Sequence, residues 1–167
     1  MWSAGYTSKP PANSNVKKIL IIILLLLVSP RAFGDATVSE DAVKAAFIFH
    51  FINFTEWNDG LPQYTVCIPD DAGLRREALE IFSGKVVNGR GILVTEGADS
   101  CHILVSEDAP FINSTLTIGQ LNKGALFEFR IVGNKMKFAI DLDRIKQSKL
   151  KISSQLLKLA IVQHGSS

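Results

Sequence analysis

Cys67, Cys101 and His102 are the residues whose chemistry is easiest to name. Two thiolates and an imidazole would begin a zinc site, but no second close pair supplies the remaining ligands at the usual spacing, so no metal is expected. An even count of two cysteines points instead, for a chain exported as its leader segment below suggests, to a disulfide between Cys67 and Cys101. Closing such a loop stabilises a small domain by roughly 3 to 4 kcal/mol in the chain-entropy picture. His102 then reads as an ordinary strand residue. Gly84, Gly89 and Gly91 with Lys85 and Arg90 suggest a phosphate loop, yet no Gly-Lys-Ser/Thr follows to open a helix. Neither a Gly-x-Ser-x-Gly elbow nor a triad order appears. Asp141 and Asp143 share a face if they lie in a strand, and they read as solvated residues at a hairpin end. Asp70 and Asp71 form a turn after Pro69 with too few neighbouring ligands for calcium. Lys151 lies just before a helix that Ser153 would open, where free amides attract a small anion; simple capping is the plainer account. A pocket near Glu56, Trp57, Lys151 and Ser153 is the candidate ligand site. No catalytic residue and no cofactor are assigned.

Composition narrows the setting. The 167 residues are 47% apolar and 20% charged, with 12 Gly and 6 Pro, the profile of one globular domain. Lys17 and Lys18 precede ten consecutive aliphatic residues, Ile19 to Val28, before Ser29, Pro30 and Arg31. A ten-residue helix rises about 15 Å, roughly half a bilayer's hydrocarbon thickness. Residues 1–34 are therefore expected to be a signal peptide, cleaved after Gly34 where Ala32 and Gly34 are small, with 35–167 as the exported mature domain. An uncleaved anchor is the alternative. From Asp35 onward the chain has 14 bases and 16 acids, a net charge of −2. A slightly acidic body lacks the positive field that backbone phosphates require, so no nucleic acid is expected as a partner.

The mature chain must build the elements that place these residues. Thr37 to Glu40 forms a capping box, with Ser39 as an alternative cap. Val43, Ala46, Phe47, His50, Phe51, Phe54 and Trp57 recur at helical steps and form an apolar stripe, within which His50 is a neutral core residue; Asn58, Asp59, Gly60 and Pro62 end that helix. Tyr64 to Ile68 reads as a strand. A helix with Leu74, Ala78, Leu79, Ile81 and Phe82 inward follows, closed by Gly84. Strands are expected at Ile92 to Thr95 and His102 to Ser106, with a brief one at Leu116 to Ile118. Ala125 to Val132, with Phe127, Phe129 and Ile131 on one face, turns at Gly133 and Asn134 into Lys135 to Leu142, forming a hairpin. A short helix at Asp143 to Ser148 follows. The last helix is capped by Ser153, with Leu156, Leu157, Leu159 and Ala160 inward, and Ile161 and Val162 continue its apolar run as a candidate partner contact. The fold class is α/β: a single domain with a central mixed sheet, helices packed on its faces, and a C-terminal hairpin followed by a short helix and a final helix.

Four segments resemble the YfiR family of periplasmic proteins: AAFIFHFINFTEW from Ala45, TVCIPD from Thr65, CHILVS from Cys101 and MKFAIDLDRIKQSKLKISSQLLKLA from Met136. They span nearly all of the mature chain, and the last is the most specific. The resemblance implies an exported α/β domain that represses a membrane-bound diguanylate cyclase by binding its periplasmic sensor portion, tying envelope conditions to cyclic di-GMP and biofilm formation. It implies a homodimer, and it places the family's disulfide on Cys67 and Cys101. A second cysteine pair that some members carry before the hairpin is missing, since Leu121 to Phe129 contains none. His50 stands where relatives often have Asn. Relatives also carry a helix between the strand at His102 to Ser106 and the next strand. Here only Glu107 to Ser114 intervenes, too short for an ordinary parallel crossover, so Leu116 to Ile118 is expected to pair otherwise or not be a strand. The leading reading is a regulatory binding protein with no bond chemistry of its own. Its rival is a periplasmic small-molecule sensor or enzyme using the pocket near Trp57 and Lys151.

Overall fold

Backbone pairing, more than side-chain periodicity, decides where the elements end. The computed structural model describes residues 38–57, 60 and 62–165; the expected signal peptide, and Asn58 and Asp59 among the expected helix terminators, lie outside them. Helix α1 (Glu40–Asn53) is capped by Ser39, whose hydroxyl accepts from the Ala42 amide at 3.0 Å, with Glu40 and Asp41 in its positive first turn. The Phe54 amide closes the last turn on the His50 carbonyl at 3.0 Å. The chain then leaves as β1 (Thr55–Glu56), antiparallel to β9 (Lys151–Ile152). Trp57 is therefore not on the helix. The buried face is also rotated from the expected stripe: Ala45, Ile48, Phe51 and Ile52 are buried, while Ala46 and His50 are exposed. Carrying the period on to Trp57 moved the apparent face toward His50, and the β1 pairing that ends the helix has no helical signature.

The remaining elements are β2 (Tyr64–Cys67), α2 (Ala72–Phe82), β3 (Val86–Val87), β4 (Arg90–Thr95), β5 (Ile103–Val105), β6 (Leu116–Ile118), a 3-10 turn (Leu121–Lys123), β7 (Phe127–Val132), β8 (Lys135–Asp141), α3 (Leu142–Gln147), α4 (Ser154–Leu159) and β10 (Ile161–Gln163). Eight strands form one sheet in the order β10-β8-β7-β6-β5-β2-β4-β3. Pairing is parallel from β4 through β2, β5 and β6 to β7, and again between β8 and β10; it is antiparallel in the β7–β8 and β3–β4 hairpins. The expected single α/β domain with a mixed sheet is thus observed.

Strand alternation sorts the core into two clusters. Val66, Ile103, Leu116, Ile118, Phe127, Phe138 and Ile140 join the buried residues of the helices in the larger one. There the Phe51 ring lies 4.8 Å from Phe127 and 4.9 Å from Phe138, and Phe49 meets Phe82 at 5.9 Å, which ties α1 to both the hairpin and α2. Cys67, Leu104, Ala109 and Ala125 form a small separate cluster against which Cys101 packs. The expected disulfide is present there, with Cα atoms 5.8 Å apart. It runs from the last residue of β2 to the segment before β5, so it joins the end of one strand to the approach of its neighbour.

Several expectations need correction. β6 does pair parallel to β5, from Ile103 opposite Leu116 to Val105 opposite Ile118. Strands of three residues rise only about 10 Å, so an irregular connection spans the return without a helix. That connection sits tight against the sheet: a Cβ on Gly119 would collide with the Ser106 carbonyl oxygen, and Gly124 holds φ +119 beside the Phe111 amide. Ile161 and Val162 belong to β10, parallel to Ala139 and Ile140, rather than to the last helix. Two consecutive β-branched residues favour the strand once α4 ends at Leu159. Leu79, Ile131 and Leu159, expected inward, are 52%, 65% and 71% exposed. Asp141 is not a solvated hairpin residue. It is buried, its Oδ1 accepts from the Arg144 amide at 2.9 Å as the cap of α3, and its Oδ2 meets the Arg144 guanidinium at 2.8 Å. The glycines at 84, 89 and 91 form no phosphate loop: Asn88 (φ 50) and Gly89 (φ 78) make the two-residue turn of the β3–β4 hairpin.

Replacing both Cys67 and Cys101 by Ser is expected to lower unfolding free energy by roughly 3 to 4 kcal/mol in denaturant melts, for a bridge that spans 34 positions.

Candidate functional site

The β1–β9 ribbon brings three of the four expected ligand-site residues together. Glu56 and Lys151 are direct cross-strand partners, because Thr55 pairs with Ile152 in the same register. The Ser153 amide donates to the Phe54 carbonyl at 2.9 Å, holding the start of α4 against the end of α1. Glu56, Lys151 and Ser153 line a cavity of about 450 Å³ together with Asn53, Phe54 and Gln155. Trp57 does not join them. Its ring packs 5.2 Å from Tyr64, and its indole Nε1, like the Thr55 hydroxyl, is buried with no acceptor or donor among the described residues.

The cavity offers one carboxylate, one ammonium, two amides and a hydroxyl, a set suited to a small polar or zwitterionic molecule. Its lining contains no histidine or cysteine that would activate the hydroxyl. Ser153 is already engaged as the cap of α4, accepting from the Gln155 amide at 3.2 Å. Capping is therefore what Ser153 does in this structure, and Lys151 remains exposed beside it. His102 is committed elsewhere. Its Nδ1 accepts from the Thr65 amide at 2.9 Å, which puts the neutral ring's proton on Nε2. With both thiols oxidised, the zinc arrangement weighed from the sequence does not form. Among the described residues no group of three or more potential ligands comes together.

A second crevice, of about 510 Å³, was not found by reading the sequence. It opens at the carboxyl ends of β2, β5 and β6 and is walled by β7. Open α/β sheets usually bind ligands at such strand ends. The available signal was the run of polar residues directly after each short strand: Asp70 and Asp71, Ser106 and Glu107, Gly119 and Gln120. Its acids are held by neighbours. The Ser106 hydroxyl donates to Asp70 at 2.8 Å, Asp71 accepts from the Leu74 amide at 2.9 Å, and the Gln120 side chain donates to Glu107 at 2.7 Å. Glu128 and Arg130 pair at 3.0 Å.

The candidate partner residues sit at the β10 edge of the sheet. Val162 is 45% exposed, whereas Ile161 is half-buried. Nearby, desolvation is the largest single influence on the Asp143 carboxyl and raises it, but the contacts and charges of His164 and Lys146 together more than reverse this, leaving it below its ordinary 3.8. The fold is that of a disulfide-closed α/β domain. The chain belongs to the YfiR/HmsC-like family, whose sequence profile matches residues 41–161. That family comprises periplasmic regulators of diguanylate cyclases and is regulatory rather than catalytic. No curated protein matches the chain. Among the described residues no helix is long and apolar enough to cross a membrane.

Because its folded value is lowered, Asp143 contributes stability that is full above 3.8 and is lost as pH falls through the folded value. Thermal melts across the acid range are expected to show a shallower loss for Asp143→Asn than for the parent chain.

Proposed function

We propose that this chain is exported, loses residues 1–34, and in the periplasm represses a membrane-bound diguanylate cyclase by binding its sensor portion. Cyclic di-GMP output and biofilm formation fall as a result. Membership of the YfiR/HmsC-like family across residues 41–161 carries this reading. Repression of this kind needs no catalysis, only tighter binding to the inactive conformation of the cyclase. Moving an equilibrium from mostly active to mostly inactive takes a difference of about 5.5 kcal/mol between the two states. A patch of apolar contacts is enough to supply that. Val162, 45% exposed on the β10 edge strand, offers one such contact. The cavity at Glu56, Lys151 and Ser153 supports a second role, the capture of a small polar ligand that reports envelope conditions.

Capture from membranes of the source cells is expected to recover a cyclase with a periplasmic sensor portion, and deletion of the gene is expected to raise cyclic di-GMP. Val162→Asp should abolish the capture and shift stability by no more than about 0.5 kcal/mol, as for an ordinary surface substitution. Recovery of no cyclase, with unchanged cyclic di-GMP in the deletion strain, would overturn the proposal. For the second role, Lys151→Ala is expected to weaken binding of small zwitterions in calorimetry while leaving the melting temperature unchanged.

A further inference from the structure

Strand β7 is paired along its whole length on one side and at a single residue on the other. β8 meets it from Phe127 to Val132, whereas β6 meets it at Phe127 alone. The Phe127 carbonyl accepts from the Gly119 amide at 2.9 Å, which fixes the side toward which its backbone groups point. Alternation along the strand turns the N–H and C=O of Phe129 and Ile131 the same way, past the end of β6, while those of Glu128 and Arg130 serve β8. Among the described residues no strand pairs with β7 there. Phe129 and Ile131 line the crevice of about 510 Å³ at the strand ends. Because β6 holds β5 and β7 two inter-strand spacings apart, about 10 Å, the gap beyond Ile118 has the width of one extended backbone. The chain itself turns aside at that point, the Gln120 amide donating to the Glu107 carbonyl at 3.0 Å.

The rim of the crevice carries a negative charge that its own cations do not cancel. Glu40 is paired with Lys44 at 2.8 Å and Glu128 with Arg130 at 3.0 Å. The other acids on the rim, Asp70, Asp71 and Glu107, are bonded among the described residues to neutral groups: the Ser106 hydroxyl, the Leu74 amide and the Gln120 side chain. Arg75, one helical turn after Asp71, reaches instead to Glu96 at 3.4 Å. A carboxylate offers about four acceptor sites, so each of the three keeps room for a further donor.

We propose that this crevice binds a short free peptide bearing a positive charge, laid as an added strand along Phe129 to Ile131 with its cation among Asp70, Asp71 and Glu107. Strand addition satisfies the main-chain groups of ligand and edge together, and the acids select the charge. Three residues span the edge from Phe129 to Ile131, and the volume lies in the range of small-ligand cavities. The position in the sheet is also a favoured one: the chain leaves β2 toward β4 and leaves β5 toward β6, in opposite directions, which opens a binding crevice at the carboxyl ends of such strands. The inference is independent of the cyclase reading.

Calorimetry and hydrogen exchange on the full chain, with the tripeptide Ala-Lys-Ala as probe and Ala-Glu-Ala as its acidic counterpart, test it. Ala-Lys-Ala is expected to bind and to slow exchange of the Phe129 and Ile131 amides, and Ala-Glu-Ala to do neither. Asp70→Asn combined with Glu107→Gln should weaken binding by about tenfold, and Ile131→Pro, which removes one outward N–H and leaves the β8 pairing in place, by about fivefold. The exchange experiment uses the unaltered protein, so it stands even where a variant folds poorly. Absence of both heat and protection at millimolar Ala-Lys-Ala would overturn the proposal, as would equal binding of the acidic peptide or binding that leaves the two amides unchanged. Protection that follows protein concentration alone would assign the edge to a second copy. Protection seen only on adding the periplasmic portion of a cyclase would assign it to a protein partner, and either result sinks the free-peptide site.

Discussion

The packing of Phe51 against Phe127 and Phe138 is the contact on which the rest of the domain depends. It joins α1 to the β7–β8 hairpin, two parts of the chain separated in sequence by β2, β4, β5 and β6. Phe47 widens the contact by touching Phe129 and Phe138. Burying one aromatic side chain is worth about 1.5 to 3 kcal/mol, so the cluster outweighs any single hydrogen bond in the molecule. With α1 fixed in this way, its end meets β9, and the cavity at Glu56 and Lys151 takes shape at that junction.

The opposite side of the sheet is held differently. Its small cluster is built from Leu104, Ala109, Ala125 and the cystine. Small side chains there let the β5–β6 connection approach the sheet, which is why Gly119 has no room for a side chain. A thin layer of this kind buries little apolar area. The covalent bridge and a buried Asp141–Arg144 pair do more of the holding, and the guanidinium of Arg144 also donates to the Leu121 carbonyl at 2.6 Å.

Sequence reading succeeded where the physical cause of structure was local. The β7–β8 hairpin was legible because Phe127, Phe129, Phe138 and Ile140 alternate around a Gly133–Asn134 turn, and Ser39 and Ser153 do cap helices. It failed where a distant strand decided the outcome. Nothing near Thr55 announces that Ile152 will pair with it, and nothing near Ile161 announces Ala139. The Asn88–Gly89 turn was a local signal passed over because the surrounding glycines invited a different reading. Glu56, Lys151 and Ser153 do meet, through a strand pair that no local pattern announces. The crevice at the strand ends required knowing that β2, β5 and β6 run parallel, which no single segment reveals.

The pairing of Cys67 with Cys101 carries one more consequence. The whole chain has two cysteines, so a single molecule has only one way to close a bridge. An oxidant that removes two electrons completes the native linkage, and an enzyme that reshuffles misjoined bonds has no intramolecular error to repair. Maturation of this domain therefore draws on the oxidising arm of thiol chemistry in its compartment and makes no demand on the proofreading arm.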